Sequence, residues 1–393
     1  MKRQLPIILI VLSLVACASS KEQSNSGVSS NSENLQIHTD GFSFFPVPEN
    51  VQIQKEIVTS YLNQELYDYS NMDAQINAKT DLGDNLPISL RYQSLWYPYE
   101  TKSYKVSVKD LSDGQTVFYE ETEAESVDFI NYKTSPVNNY RLTVTTVIDG
   151  KDVETHDYDF AVPASYFRTI TIDGVNNFRD LGDGKLMKQG LIYRSATFEN
   201  NTSINSDKPV TISEKGKEQI SYLHLTSEID LRKDEEKTLT DKSYIGLKYF
   251  KAPMYYGGQN LLTYKSAEYD NPETIRSVFE FLAEENNYPV DFHCVRGTDR
   301  TGCIAYLIKG LMGFEELELY HDYLFSNFYN IGSPVKLENI YYASNPNATT
   351  RYVNVIMQTE GSTISEKIYN YLASDKVGVK KESLDKIIAL LKA

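Results

Sequence analysis

The sequence has few of the residues that bind metals or form disulfides. Among its 393 residues there are three cysteines, five histidines and one tryptophan. Three cysteines cannot make a disulfide framework. The histidines are scattered and lack a metal-binding spacing such as His-Glu-x-x-His, and no Gly-x-x-x-x-Gly-Lys-Ser/Thr loop for nucleotide phosphates is present. The sequence therefore predicts neither a metal centre nor another cofactor.

Positive charge is scarce as well. The chain has 39 Lys and Arg against 54 Asp and Glu, a formal net charge of −15. Such an acidic protein is not expected to bind nucleic acid or to lie flat on an anionic membrane. The apolar run at residues 5–15 is too short to cross a bilayer as a mature helix. Neither bulk charge nor that run is therefore predicted to hold the mature protein at a membrane.

The first residues of the chain indicate export. Lys2 and Arg3 precede the apolar run, and Leu-Val-Ala-Cys at residues 14–17 resembles the lipobox of bacterial lipoproteins. In that class Cys17 becomes the lipidated first residue. The sequence thus predicts a signal peptide over residues 1–16, a polar flexible tether over 17–42, and a membrane anchor that is the lipid on Cys17 alone, facing outside the cytoplasm. An ordinary cleaved signal peptide is the alternative.

Short runs that alternate apolar and polar residues follow the tether. They lie at residues 88–92, 104–108, 116–119 and 140–147, with Asp-Gly turn signals at 113–114 and 149–150. This spacing predicts an all-β sandwich of immunoglobulin or fibronectin type over residues 43–165, with Trp96 and many tyrosines in its core and rim. Such a domain could space and stabilise the rest of the chain, or bind a substrate or partner through exposed aromatic residues.

Beyond residue 166 strand-like and helical runs alternate. The strand-like runs lie at residues 190–194, 227–231, 247–252 and 290–293, and the helical runs at 213–223, 272–285, 301–312, 314–327, 364–373 and 381–391. This alternation predicts an α/β domain over residues 166–393, with a parallel-rich sheet flanked by helices and a site at the carboxyl ends of its strands. Cys294 and Asp230 both fall at such ends.

The most specific motif is His-Cys-x-x-Gly-x-x-Arg-Thr-Gly at residues 293–302. It lies between an apolar strand and an apolar helix, so its amides collect at a helix N-terminus and can bind a phosphate. The positive electrostatic field of a helix N-terminus lowers the pKa of a thiol, which predicts that Cys294 is a thiolate nucleophile. Arg300 can hold two phosphoryl oxygens. The remaining predicted phosphate-binding residues are Val295, Arg296, Gly297, Thr298 and Asp299.

This loop resembles the signature of the protein tyrosine phosphatases, and most closely the bacterial branch with His-Cys-x-x-Gly-Lys-Asp-Arg-Thr-Gly. Further stretches are similar to that branch: Asn-Phe-Arg-Asp-Leu-Gly at 177–182, Gly-Leu-Ile-Tyr-Arg-Ser-Ala at 190–196, Ile-Asp-Leu-Arg at 229–232, and Asp-Tyr-Leu with Ser-Asn at 322–327. The resemblance runs from about Ile170 to the C-terminus. Thr298 replaces the loop lysine, with Arg296 as the candidate substitute cation, and Asp183 replaces the second glycine of the opening motif.

The resemblance and the loop chemistry together imply further roles. The Thr301 hydroxyl is expected to point toward the thiolate and to help the second chemical step. His293 is expected to orient the loop and tune the thiol, in preference to transferring a proton itself. Arg179 and Asp180 are expected to form a supporting pair. Residues 252–264, with three tyrosines and two adjacent glycines, have the composition of a mobile flap or of an ordinary surface loop.

Two carboxyl groups are candidates for the acid that protonates the leaving oxygen. Asp230 is favoured by the family resemblance. Asp299 is the other, since a loop aspartate is the proposed acid of the myotubularin-like lipid phosphatases. Either could instead be structural, Asp230 by pairing with an arginine and Asp299 by capping the helix that follows.

The sequence thus predicts a phosphatase that acts through a phosphocysteine on phosphotyrosine in proteins, with phosphoserine, phosphothreonine and phospholipid substrates as further candidates. The absence of the loop lysine at Thr298 weakens the case for inositol lipids. A catalytically idle phosphate-binding module and a rhodanese-like sulfur transferase are the competing classes. The five residues between Cys294 and Arg300, followed by Thr-Gly, fit a phosphatase better than a rhodanese. No oligomeric state is predicted.

Overall fold

The part of the chain that the computed structural model describes comprises residues 37–39, 41–64, 81–95, 101–133, 139–163, 166–202, 209–256 and 261–393. The predicted signal peptide, Cys17, nearly all of the tether and Trp96 lie outside the described residues. In those ranges no helix combines the length and the apolar character that crossing a bilayer would require.

Two antiparallel sheets form the first part of the described chain. Their strands are Ile37–Thr39 (β1), Phe42–Phe45 (β2), Ile88–Ser94 (β3), Lys102–Asp110 (β4), Thr116–Thr122 (β5), Ser126–Phe129 (β6), Asn139–Ile148 (β7) and Lys151–Ala161 (β8). One sheet has the order β1-β2-β3-β6 and the other β5-β4-β7-β8. All four runs that alternate in the sequence fall on these strands. Asp149 and Gly150 join β7 to β8 with φ values of 50° and 73°, as a type I′ hairpin turn requires.

The two sheets share one hydrophobic core, because alternate side chains of β3, β4 and β7 are buried between them. Tyr92 on β3 meets Tyr104 on β4 edge to face, with 5.0 Å between ring centroids, and Phe129 on β6 meets Tyr140 on β7 at 5.2 Å. Edge-to-face contacts of this kind add to the burial of the rings themselves. Aromatic pairs therefore join the sheets across the core.

The second part of the chain is built around a five-stranded sheet. Its strands are Arg179–Asp180 (β9), Ile192–Ser195 (β10), Ser227–Asp230 (β11), Lys248–Lys251 (β12) and Val290–His293 (β13). The order is β12-β11-β13-β10-β9, with β9 antiparallel to β10 and every other pair parallel. The predicted parallel-rich sheet is therefore confirmed, and the carboxyl ends of β10, β11 and β13 lie side by side.

Helices surround this sheet. After the short helix Glu56–Leu62 (α1) they are Glu214–Ser221 (α2), Asn271–Leu282 (α3), Asp299–Leu311 (α4), Glu316–Leu324 (α5), Tyr352–Met357 (α6), Ile364–Ala373 (α7) and Lys381–Leu391 (α8). From Arg300 to Leu311 every residue of α4 is buried, so this helix is the centre of the main core. The sequence did not predict α6, and the single helix predicted over residues 314–327 is α5 followed by a 3-10 turn, Phe325–Phe328.

Helix α1 falls within the range predicted for the β-sandwich but packs into the core around α4. Its Val58 and Tyr61 are buried members of that core. The Tyr61 hydroxyl donates a hydrogen bond to the backbone carbonyl of His321 at 3.0 Å, and its ring packs edge-on against Phe328 at 5.2 Å. Helix α1, which lies between β2 and β3 in the sequence, is thus part of the structure that supports α5.

We expect Tyr61→Ala to lower the free energy of unfolding by about 3–5 kcal/mol, because it empties a buried ring site. Tyr61→Phe keeps the ring and removes only the hydrogen bond to His321, so it should cost about 1 kcal/mol. Urea denaturation followed by circular dichroism measures both. Equal losses in the two variants would show that ring packing is not what joins α1 to this core.

Candidate active site

The predicted phosphate-binding loop connects the end of β13 at His293 to the start of α4 at Asp299. Gly297 in its middle has a φ of 68°. A β-carbon there would lie 2.3 Å from the backbone oxygen of Ser195, so only glycine fits. The loop therefore passes directly against the end of β10, and its tight curve depends on this close approach.

Side chains outside the loop bind its carbonyl oxygens. Asn177 Nδ2 donates to the carbonyls of Arg296 at 3.2 Å and Gly297 at 3.1 Å, and Arg194 Nη2 donates to that of Gly297 at 2.7 Å. The N–H of a planar trans peptide points opposite to its C=O. Anchoring these two carbonyls outward therefore turns the amides of Gly297 and Thr298 to the inner side of the loop.

Asp322 on α5 holds the arginines of this support. One of its oxygens accepts from Arg179 Nε at 3.2 Å, and the other forms a close ion pair with Arg194 Nη1. Burial alone would raise the pKa of Asp322, but the two guanidinium groups hold it well below its usual range. The Asp-Tyr-Leu stretch of the sequence thus contributes a clamp on the loop.

Asp180 does not pair with Arg179, contrary to the sequence-based expectation. Adjacent residues of a strand face opposite sides, and Asp180 instead accepts from Arg168 at 2.7 Å and from the amides of Gly182 and Gly190 at 2.9 and 2.6 Å. Asp183, at the position of the expected second glycine, accepts from three successive amides, those of residues 185–187. Both aspartates therefore shape the turn between β9 and β10.

The Cys294 thiol has the environment of a nucleophile. It is only 3% exposed, and burial raises its pKa, but Arg300 and the hydroxyl and amide of Thr301 lower the pKa to below the ordinary value of a thiol. The Thr301 hydroxyl has no other hydrogen-bond partner in the described chain. Cys303, nine residues further along the chain and within α4, has a pKa raised by burial alone. The two cysteines are thus chemically distinct.

The Arg300 guanidinium is fixed by a carboxylate that sequence reasoning missed. Glu236 accepts from its Nη1 at 2.6 Å and from its Nη2 at 3.0 Å, and the Leu231 carbonyl accepts from Nη1 at 3.2 Å. Burial raises the pKa of Glu236, but Arg300 lowers it by more, and the net result is a pKa below the ordinary value of a glutamate. The pair is therefore ionic. The Asp-Glu-Glu run at residues 234–236, which follows the Ile-Asp-Leu-Arg stretch after one lysine, was the signal that the sequence offered for this carboxylate.

A cavity of about 460 Å³ opens above the loop. Among its lining residues are Cys294, Arg296, Arg300, Asp299 and Tyr256, and the others are Asn200, Thr202, Glu235, Glu236 and Val295. Thr298 does not line it, because its side chain is fully buried and donates to the Arg296 carbonyl at 3.3 Å. Tyr256 belongs to the predicted flap, of which residues 257–260 lie outside the described chain.

The two candidate acids occupy different environments. Asp299 lines the cavity, accepts from the Tyr323 hydroxyl at 3.0 Å, and has a pKa raised by burial. Asp230 is fully buried and bound by Arg232 at 2.8 Å and the Tyr249 hydroxyl at 3.0 Å. Burial raises the pKa of Asp230, but the charges of His293 and Arg232 hold it well below the usual range. Asp230 therefore stays ionised. It is also not among the residues that line the cavity.

His293 lies beneath the loop, fully buried. Its Nε2 is 2.8 Å from Glu228 Oε1, and its Nδ1 is 3.3 Å from the Cys294 carbonyl oxygen. Glu228, Asp230 and His293 each offer a ligand atom within 4.8 Å of the others, a spacing that could hold a metal ion. Asp230, however, already faces Arg232 and Lys237, so an added cation would meet two positive charges.

Comparisons with known proteins agree with this geometry. A family model described as the tyrosine phosphatase family matches residues 170–393, which is more than half of the chain. A tyrosine-protein phosphatase of Nostoc commune is 41% identical over 59 residues, 15% of this chain. That match spans only a fifth of the relative's own length.

Two solved structures are similar at a lower level. The Siw14 catalytic core is 17% identical, over 37% of this chain and 76% of that one, with a TM-score of 0.24. The core catalytic domain of the PP-IP phosphatase SIW14 from S. cerevisiae, in complex with citrate, is 15% identical over 44% and 85%, with a TM-score of 0.26. At these scores neither likeness bears on the substrate. The match to the family model over residues 170–393 is what shows that this chain belongs to the tyrosine phosphatase family.

Proposed function

We propose that this protein hydrolyses phosphotyrosine in proteins through a phosphocysteine. The observation that carries the proposal is the meeting, in one cavity of about 460 Å³, of the Cys294 thiol with its lowered pKa and the fixed guanidinium of Arg300. Membership of the tyrosine phosphatase family supports the same chemistry and implies a phosphorylated substrate.

In the first step the Cys294 thiolate attacks phosphorus and forms an S–P bond while the P–O bond to the leaving group breaks. The loop amides and Arg300 bind the phosphoryl oxygens, where the charge of the transition state is spread. Asp299 gives its proton to the leaving phenolate oxygen. We prefer Asp299 to Asp230 for this role, because Asp299 lines the cavity and has a raised pKa.

In the second step water attacks phosphorus and the S–P bond breaks, which releases inorganic phosphate. The Asp299 carboxylate, formed in the first step, takes the proton of that water. The departing sulfur regains its negative charge beside Arg300 and the Thr301 hydroxyl, which stabilise it. The chain ends the cycle as it began, with no metal or other cofactor needed for this sequence of steps.

The charges around the cavity favour a substrate with a single phosphate. Among the residues that the structure describes, its lining cations are Arg296 and Arg300, and the latter is paired with Glu236. Glu235 and Asp299 add negative charge, and Thr298 supplies no cation. A headgroup with several phosphates would be poorly neutralised there. Tyr256 offers an aromatic wall against which a phosphotyrosine ring can pack. We rank phosphoserine, phosphothreonine and phosphoinositides below phosphotyrosine on these grounds.

Cys294→Ser should lower phosphate release by about 10⁴-fold or more, because it removes the nucleophile. The measurement is phosphate release from phosphotyrosine peptides, phosphoserine peptides and phosphoinositide vesicles. Cys303→Ala is the matched control, since that cysteine is buried away from the cavity lining, and it should keep the unmutated rate. The ranking of the three substrates identifies the substrate class.

Other outcomes would redirect the assignment. Tight phosphopeptide binding by the folded, reduced protein without turnover would favour the catalytically idle phosphate-binding module. Transfer of sulfur from thiosulfate to cyanide would favour the rhodanese-like class. Full activity of Cys294→Ser would exclude the phosphocysteine.

The acid role of Asp299 has a distinct signature. Asp299→Asn should lower kcat by about 10²- to 10⁴-fold on phosphotyrosine, and far less on an aryl phosphate whose leaving group needs no proton. Activity requires Asp299 protonated and Cys294 ionised. The raised pKa of Asp299 therefore sets the fall in rate at alkaline pH, and the lowered pKa of Cys294 sets the fall at acid pH. The alkaline fall should vanish in the variant.

Asp230→Asn is the matched comparison for this test. It removes one of the two carboxylate partners of Arg232, the other being Glu199, and should lower stability because the buried guanidinium loses part of its compensating charge. Dependence of its rate on the leaving group should match that of the unmutated chain. A leaving-group effect confined to Asp230→Asn would assign the acid to Asp230 instead.

We also propose that the protein is a lipoprotein held at the outer side of a cell membrane by Cys17. The lipobox-like stretch at residues 14–17 supports this proposal. Cell fractionation should find the unmutated chain with membranes and Cys17→Ser in the soluble fraction or uncleaved. Equal distribution of the two forms would contradict lipid anchoring.

The N-terminal sheets are, we propose, a sandwich of the immunoglobulin or fibronectin type. The support is the strand order, in which β2, β3 and β6 form one sheet and β5, β4, β7 and β8 the other. An experimental structure with another strand order would contradict this assignment.

A further inference from the structure

The buried histidine beneath the nucleophile has two hydrogen-bond partners, and both are acceptors. Glu228 Oε1 lies 2.8 Å from Nε2, and the Cys294 carbonyl oxygen lies 3.3 Å from Nδ1. A carbonyl oxygen accepts only, and an ionised carboxylate accepts only. With Glu228 ionised, the ring can satisfy both only if both of its nitrogens carry protons, as in the imidazolium form. The neutral ring would leave one of the two contacts without a hydrogen.

The Cys294 carbonyl belongs to the peptide unit whose N–H is that of Val295, the first amide of the phosphate-binding loop. A charged donor makes a stronger hydrogen bond to that oxygen than a neutral one would. Such a bond polarises the peptide and increases the positive character of the Val295 N–H. The charge on His293 can therefore act on a phosphate in the cavity although the ring itself is not among the lining residues.

We propose that Glu228 is a positioning residue for catalysis: it keeps His293 an imidazolium, whose bond to the Cys294 carbonyl orients and polarises the first amide of the loop. The proposal rests on the proposed phosphatase function and names a residue that acts through another. Glu228 lies on β11 opposite Asp291 of β13, two residues before Asp230, and is 2% exposed. It approaches His293 from the neighbouring strand.

Other charged groups surround the ring, and Glu228 is the anion in direct contact with it. Burial lowers the pKa of His293, but Asp230 and Glu228 raise it to about 9. Asp291 does not compete at neutral pH, because burial raises its pKa to about 8 and keeps it protonated beside Ser195. The ionisable groups linked to His293 directly or through its charged neighbours are Glu199, Glu228, Asp230, Arg232, Lys237, Asp291, Cys294 and Arg300.

The charge of His293 can be measured without turnover. In the full chain labelled with ¹⁵N-histidine, and with His293→Asn used only to assign the signals, both ring nitrogens of His293 should be protonated at pH 7. The charge should be lost near pH 9. A neutral His293 at pH 7 would overturn the proposal while leaving the proposed phosphatase function intact.

Glu228→Gln separates charge from shape. Glutamine can donate to Nε2 of a neutral ring, so hydrogen bonds persist, while loss of the anion lowers the pKa of His293 by about one unit or more. Inhibition by inorganic phosphate should therefore weaken about fivefold, the difference between a charged and a neutral hydrogen bond, at a pH one unit or more lower than in the unmutated chain. In the unmutated chain the same weakening should appear only as the pH passes 9.

Asp291→Asn is the matched control, because it changes a neighbouring buried carboxyl that is already uncharged at pH 7. At pH 7 phosphate inhibition should stay within about twofold of the unmutated chain, since no charge is lost at that pH. Glu228→Asp should restore part of the pH profile. An unchanged pH dependence of phosphate inhibition in folded Glu228→Gln, or an equal shift of that dependence in Asp291→Asn, would overturn the proposal. If the unmutated chain shows no phosphatase activity, the proposed function fails, and the NMR result still decides the charge of His293.

Discussion

The structure depends on hydrogen bonds that reach the phosphate-binding loop from behind. Asn177 and Arg194 bind the carbonyls of Arg296 and Gly297, and Asp322 fixes Arg194 through a buried ion pair. The amides of Gly297 and Thr298, turned to the inner side of the loop, carry partial positive charges of the same sign that repel each other. Their carbonyls must therefore be held from outside, and the buried polar groups of β9, β10 and α5 do so. The cost of burying two arginines is offset because each also donates to a carbonyl of the main chain.

The loop itself and its flanking elements could be predicted from the sequence, because the strand, the glycine, the arginine and the helix are encoded within about twenty consecutive residues. The partners of those residues could not. Glu228 on β11 reaches His293, and Glu236 in the turn after β11 reaches Arg300. No periodicity connects positions so far apart in the chain. The expected pairing of Arg179 with Asp180 was wrong for a reason the sequence did contain, since neighbours on a strand face opposite sides.

The same limit applies to the first part of the chain. Alternation and Asp-Gly turns predicted β3, β4, β5 and β7 together with the hairpin at Asp149 and Gly150. Helix α1, of seven residues, has too few positions to show a period, and what it packs against is decided by the core around α4. Tertiary contacts determine such short elements more than local preference does.

The hydrogen bond from Tyr61 to His321 joins residues 260 positions apart. During synthesis α1 leaves the ribosome long before α5 exists, so its apolar face has no native surface to cover for most of that time. Contacts of such sequence separation form late and slow the folding of a domain. Helix α1 consequently cannot complete its packing until the residues of α5 are present. A nascent chain of this protein keeps Val58 and Tyr61 exposed to chaperones, or to other chains, until α5 at residues 316–324 of the 393 has been made.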